Sequence, residues 1–175
     1  DNSIKNIDGK NFLDISEDDF EQMTDSFSDS LKNIFGQTKY VSEATKDSAI
    51  SHAKQAHTAS SAALTQLGIC NFDFGVYNNA TSASFGAPNS NGVIEIVWDG
   101  VSYTPDDDDM DLVAYLGESF DGYAYAVFKP DTYSVQYALW SQDPIPEKYK
   151  HSLTEDEIDQ SAKEGSVVGC YPVLT

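Results

Sequence analysis

The sequence predicts an α+β fold in which a long helix packs against an antiparallel meander sheet, with an extra helix ahead of it at the N-terminus. Three observations carry this reading. Residues 40–67 repeat small residues at three- and four-residue steps, the helical period. After Gly68 the pattern switches to short alternating runs separated by turn dipeptides. Ahead of the long helix, Ser16 and Gly36 bracket a separate helical pattern with start and stop signals.

Residues 1–15 are polar, with Asp8-Gly9 as a turn. Ser16 is an N-cap with Asp19 reaching back to it, and Ile15 can staple onto Phe20. Phe20, Met23, Phe27, Leu31, Ile34 and Phe35 then line one face, and Gly36 supplies a C-terminal stop. The second helix buries a different stripe, made of Val41, Ala44, Ala49, Ala53, Ala56, Ala59 with Ser60, Ala63, Leu64 and Leu67. About 27 residues at 1.5 Å rise make a rod of roughly 40 Å. Small side chains along it let a sheet face come unusually close.

Residues 69–91 read as a long surface connection with one short strand near Phe74–Tyr77. Residues 93–98 form a strand, and Asp99-Gly100 turns it into a hairpin with Val101–Tyr103. Leu112–Leu116 reads as a further short strand. The clearest hairpin joins residues 123–128 to 133–140 through Lys129-Pro130-Asp131-Thr132, with Tyr133, Val135, Tyr137 and Leu139 on one face. A last helix starts at Thr154 with a capping box to Glu157 and a Leu153–Ile158 staple, and Gly165 closes it. Residues 167–173 return as an edge strand carrying Cys170. The chain thus divides into a helical appendage, residues 1–38, and an α+β domain, residues 39–175.

Charge narrows the function classes. The 29 acidic residues outweigh 10 basic ones, all lysine, for a net charge of −19. Without a basic footprint or any arginine, the chain lacks what displaces counterions from nucleic acid or grips phosphate. The same charge disfavours anionic membranes and suits a protein facing an outside medium. No run of 18 apolar residues occurs, and the chain opens on Asp1, so a targeting segment is expected upstream.

Few groupings carry chemistry. Cys70 and Cys170 would, if bridged, close a loop of about 100 residues, stabilising by about 4.7 kcal/mol in the chain-entropy account; the alternative is two unrelated thiols. The acidic run 106–111 offers Asp107, Asp109 and Asp111 to a Ca²⁺ ion, or it is a solvated loop without the glycine and glutamate of an EF-hand. His52 and His57 stand five apart, about 140° around a helix, and cannot share a metal. Gly117-Glu118-Ser119-Phe120-Asp121 has Asp where a nucleophile elbow needs Gly. Tyr123, Tyr125, Tyr133, Tyr137 and Trp140 crowd one hairpin, either as cross-strand pairs or as a surface for a glycan or host protein.

The helix from Tyr40 through Leu64 resembles the soluble half of the long helix in bacterial type IV pilins and pseudopilins. The hairpin from Gly122 to Ser141 looks like the sheet that packs on that helix. The resemblance covers residues 40–175. It implies a non-enzymatic structural subunit of a surface filament or secretion pseudopilus, adhesive in some settings. It further implies pilin-like partner subunits joined through an upstream membrane helix, and an extracellular or cell-surface location after membrane anchoring. The alternative from the residues alone is a secreted carbohydrate- or surface-binding module, with or without Ca²⁺.

Overall fold

A computed structural model describes residues 17–105 and 111–175, with side chains described from Glu43 onward. The fold is α+β, a long N-terminal helix with a six-stranded antiparallel sheet. Two compact units, residues 1–42 and 43–175, divide the chain.

The first helix, α1, runs Glu17–Ile69. The two helices expected from the sequence are therefore one, unbroken at Gly36. A glycine inside a helix costs only about 1 kcal/mol relative to alanine, so it punctuates only where a turn competes. Ser16 and Ile15 lie outside the described residues. In the second unit the stripe behaves as its period dictates: Ala49, Ala53, Ala56, Ala59, Ser60, Ala63, Leu64 and Leu67 are all buried. Ala44, expected in that stripe, is exposed.

Six strands follow: β1 Ser82–Gly86, β2 Ile96–Trp98, β3 Val101–Tyr103, β4 Tyr123–Lys129, β5 Ser134–Ser141 and β6 Val168–Tyr171. Their order is β3-β2-β1-β4-β5-β6. This is two three-stranded meanders joined edge to edge by β1 and β4, since the chain leaves β3 at one edge and returns to the middle. The β2–β3 hairpin turns on Asp99 (φ 41°) and Gly100 (φ 91°), both in the left-handed region that a tight two-residue turn requires. Asp99 also accepts from the Thr81 amide at 2.8 Å and from the Ser82 hydroxyl, tying the turn to β1.

Strand alternation sets the two faces. Ala83, Phe85, Ile96, Trp98, Ala124, Ala126, Phe128, Ala138 and Trp140 share one face with their cross-strand partners and bury it with the α1 stripe. Alanines on both layers bring the helix close. A Cβ built on Gly169 of β6 would lie 2.1 Å from the Ala49 carbonyl oxygen. Where α1 ends, larger rings fill the space: Phe74 lies 5.2 Å from Phe128 and 5.4 Å from Trp98 between ring centroids.

The segment expected to be an exposed connection supplies much of this cluster. Phe74–Tyr77 is a 3₁₀ turn, not a strand, capped by Asp73, and β1 lies within the same segment. Leu112–Leu116 is likewise a short helix, α2, not a strand; Asp111 caps it by accepting from the Val113 and Ala114 amides.

Among the described residues, the opposite face is covered over β5 and β6. There α3, Glu155–Lys163, begins at Thr154 with the expected capping box. Leu153 and Ile158 are fully buried, as are Leu139, Val168 and Cys170. Ser161 accepts from the Val168 amide at 2.9 Å, fixing α3 to β6. Lys46 of α1 reaches Asp159 of α3 at 2.9 Å.

Candidate functional site

Beyond the cover of α3, the outer face of β2, β1 and β4 stays open and forms a groove of about 640 Å³. Period-2 alternation builds its floor. With Ala124 and Ala126 turned to α1, Tyr123 and Tyr125 must face the groove, beside Ser84 of β1 and Val97 of β2. Tyr123 is 48% exposed, the barest ring of the sheet.

One wall comes from the turn before β4. Gly122 has φ +85°, and an added Cβ would meet both the Ser141 carbonyl and the Trp140 ring at 2.6 Å, so only glycine fits. The turn anchors Asp121 from two sides. Its carbonyl accepts from the Trp140 indole at 2.8 Å, and that indole is stacked 4.2 Å from the His52 ring of α1. Its carboxylate accepts from the Gln142 amide at 3.1 Å and the Gly122 amide at 2.8 Å. These bonds hold the Asp121 pKa below the ordinary carboxylate value.

On the opposite wall Asn89 is locked by its own loop. Its side-chain oxygen accepts from the Asn91 and Val93 amides, while its nitrogen donates to Glu95 at 3.4 Å. At the rim the Lys150 ammonium sits 5.3 Å from the Tyr125 ring centroid and 2.7 Å from Glu147.

The five aromatic residues singled out from the sequence do not share this surface. A register irregularity between Val127 and Phe128 sets Val127 opposite Tyr137 but Phe128 opposite Val135, leaving Gln136 as the extra residue. The bulge breaks the row: Tyr137 and Leu139 face away from α1, whereas Tyr133 turns toward it. Tyr133 packs on Gly68 and donates to the Phe72 carbonyl at 3.0 Å. Trp140 is buried under α1. Tyr137 is half-buried on the outer face, where burial raises its pKa. Only Tyr123 and Tyr125 line the groove.

The expected disulfide is corrected: Cys70 and Cys170 are free thiols, one exposed and one buried. Geometry gives the reason. Tyr171, next to Cys170, meets Lys54 and His57 of α1, and Cys70 lies thirteen residues past His57, about 20 Å along a helix. A disulfide needs Cα atoms within about 7 Å. Cys170 is instead held in the core, accepting from the Leu153 amide at 3.3 Å, and burial pushes its thiol pKa up.

Of the proposed Ca²⁺ ligands, Asp107 and Asp109 lie outside the described residues, and Asp111 is occupied as the α2 cap. Among the described residues no group of three His, Cys, Asp or Glu side chains converges as metal ligands would. His57 packs edge-on against Tyr171, and burial lowers its pKa; His151 pairs with Glu157 at 2.7 Å.

Gln142, Asn89, Glu95 and Lys150 are not marked as site residues by the sequence, which sets Asp121 only where a nucleophile elbow would need Gly. The Asp121-Gly122 pair preceding a strand was the one local signal. The others converge through strand order, which no spacing encodes. Compared with known protein families, curated proteins and solved structures, the chain matches none of them.

Proposed function

We propose that this chain is a non-enzymatic structural subunit of a bacterial surface filament or secretion pseudopilus, built as a pilin-like headpiece. The observation that carries the reading is the alanine and serine stripe of α1, from Ala49 to Leu67, buried beneath the α1-facing side of the sheet. The stripe lies in the C-terminal part of a helix of 53 residues. In a pilin-like assembly such a helix packs subunits against one another, and the sheet serves lateral contact or adhesion. The histidines fit a role of form: each ring is engaged with a structural neighbour, Trp140, Tyr171 or Glu157. Mean charge fits an outside medium, since −19 over 175 residues favours solubility and mutual repulsion of free subunits. The resemblance implies partners of the same kind, joined through a membrane helix upstream of Asp1.

The test uses the producing cell. Filaments sheared from the surface are examined by electron microscopy and mass spectrometry, with an antibody against residues 43–175 as label. Filaments carrying this chain along their length, from a precursor with a Gly-Phe-Thr-Leu-x-Glu start and about 20 apolar residues, are the expected result. Recovery of the chain solely as dispersed monomers, from a precursor without that segment, refutes the proposal.

A further inference from the structure

We propose that the groove over β2, β1 and β4 is a binding site for an uncharged saccharide, held on Tyr123 and Tyr125. The charge inventory selects the ligand class. An anion would face the Asp121 and Glu95 carboxylates, with no arginine in the chain and with Lys150 already paired to Glu147. A cation would find both carboxylates already accepting amide hydrogens and Lys150 in the same groove. Hydroxyl groups are different, because each must both donate and accept.

The walls supply both functions in fixed pairs. Gln142 with Asp121 and Asn89 with Glu95 each set a carboxamide beside a carboxylate, so a spare N–H stands next to a spare oxygen lone pair. Both pairs are held in advance, Asp121 through Gly122 and Trp140 and Asn89 through its own loop amides. Little ordering cost then falls on binding. Between the walls, Tyr123 and Tyr125 present two rings on one strand face, about 7 Å apart at two residues' rise. Flat rings of that kind take the C–H faces of successive pyranose units while their hydroxyls remain for the hydrogen-bonding edges. Lys150 over Tyr125 fixes the second ring. The groove faces away from α1, so this proposal stands or falls independently of filament assembly.

The experiment titrates isotope-labelled full chain, followed by amide chemical shifts, with neutral oligosaccharides of glucose, galactose, mannose and N-acetylglucosamine. Choline and inorganic phosphate serve as rival probes. Saturable shifts centred on Gly86, Glu95, Gly122 and Tyr125 with at least one oligosaccharide, and none with choline or phosphate, are expected. Tyr123→Ala, at an exposed position that leaves the core intact, weakens that binding roughly tenfold. Tyr115→Ala, equally exposed but outside the groove, leaves it unchanged. The proposal is overturned if no oligosaccharide shifts these amides, if choline or phosphate alone does so, or if Tyr123→Ala binds as well as the parent chain.

Discussion

Gly169→Ala probes the tightest of the described glycine positions. The new methyl would lie 2.1 Å from the Ala49 carbonyl oxygen and 2.6 Å from the Ile50 nitrogen. Ordinary contact begins at 3.4 Å, so helix and strand must separate by about 1.3 Å. The obstacle is backbone, so no side-chain rearrangement relieves it. A gap wider than about 1 Å forfeits roughly half or more of the dispersion energy across the layer, and overpacking of a core costs about 1–3 kcal/mol even where side chains can yield. A loss of about 3 kcal/mol is therefore expected, which lowers Tm by roughly 6–12 °C for a domain of this size. Thermal unfolding followed by near-UV circular dichroism measures it. Ala49→Gly in the same background gives no rescue, because the atom struck is a carbonyl that glycine also carries. Ala44→Leu, on an exposed face of the same helix, leaves Tm within about 1 °C. If Gly169→Ala unfolded at the parent temperature, α1 could not lie against β6, and the close-packed core argued above would be refuted.

Three further outcomes follow from the same packing. In the native chain a thiol reagent modifies Cys70 rapidly and Cys170 only after denaturation, and reductant leaves Tm unchanged; two protected or two reactive thiols would contradict the placement. Thr154→Ala removes the hydroxyl that caps α3 and costs about 1 kcal/mol in urea unfolding, whereas Thr154→Ser retains most of it. Burial against Tyr171 holds the His57 pKa below its unfolded value of 6.5, so the unfolded chain takes up the proton first. Stability is then full above that value and falls as pH drops from it toward the folded pKa. His57→Gln flattens that part of the profile, and an unchanged slope would show the ring to be solvated.

What could be read in advance follows from how local the governing physics is. The α1 stripe from Ala49 to Leu67, the Asp99-Gly100 hairpin and the Thr154 capping box each depend on residues within a turn or two, and each is seen as expected. Asp111 caps α2, a role that a run of aspartates does not announce and that only the following amides reveal. The serine- and alanine-rich β1 lacks the branched residues that mark a strand, yet it occupies the sheet's centre because small side chains are what the alanines of α1 tolerate. Cys70 and Cys170 looked like partners because sequence shows loop length and not the direction of a rod. The groove was invisible for a related reason: strand order places β1 beside β4, and only that neighbour relation brings Glu95 and Tyr125 to one surface.

The two faces of the sheet argue for different roles. Toward α1 the face is committed to the helix: its alanines, Ile96, Trp98 and Phe128 are all buried against the stripe. Over β5 and β6 the second face is equally committed, with Leu139, Val168 and Cys170 fully buried. Across β1, β2 and β4 the composition changes within one strand's width, to Ser84, Glu95, Tyr123 and Tyr125. A surface meant for burial against a neighbouring subunit would continue the aliphatic pattern, since interface cores shed charged residues. Here the charges are kept, held by hydrogen bonds and set around two rings. Such a surface loses little by facing water and gains by meeting a polar, ring-shaped ligand. On the two proposals made above, filament packing would fall to α1 and recognition to the open half of the outer face.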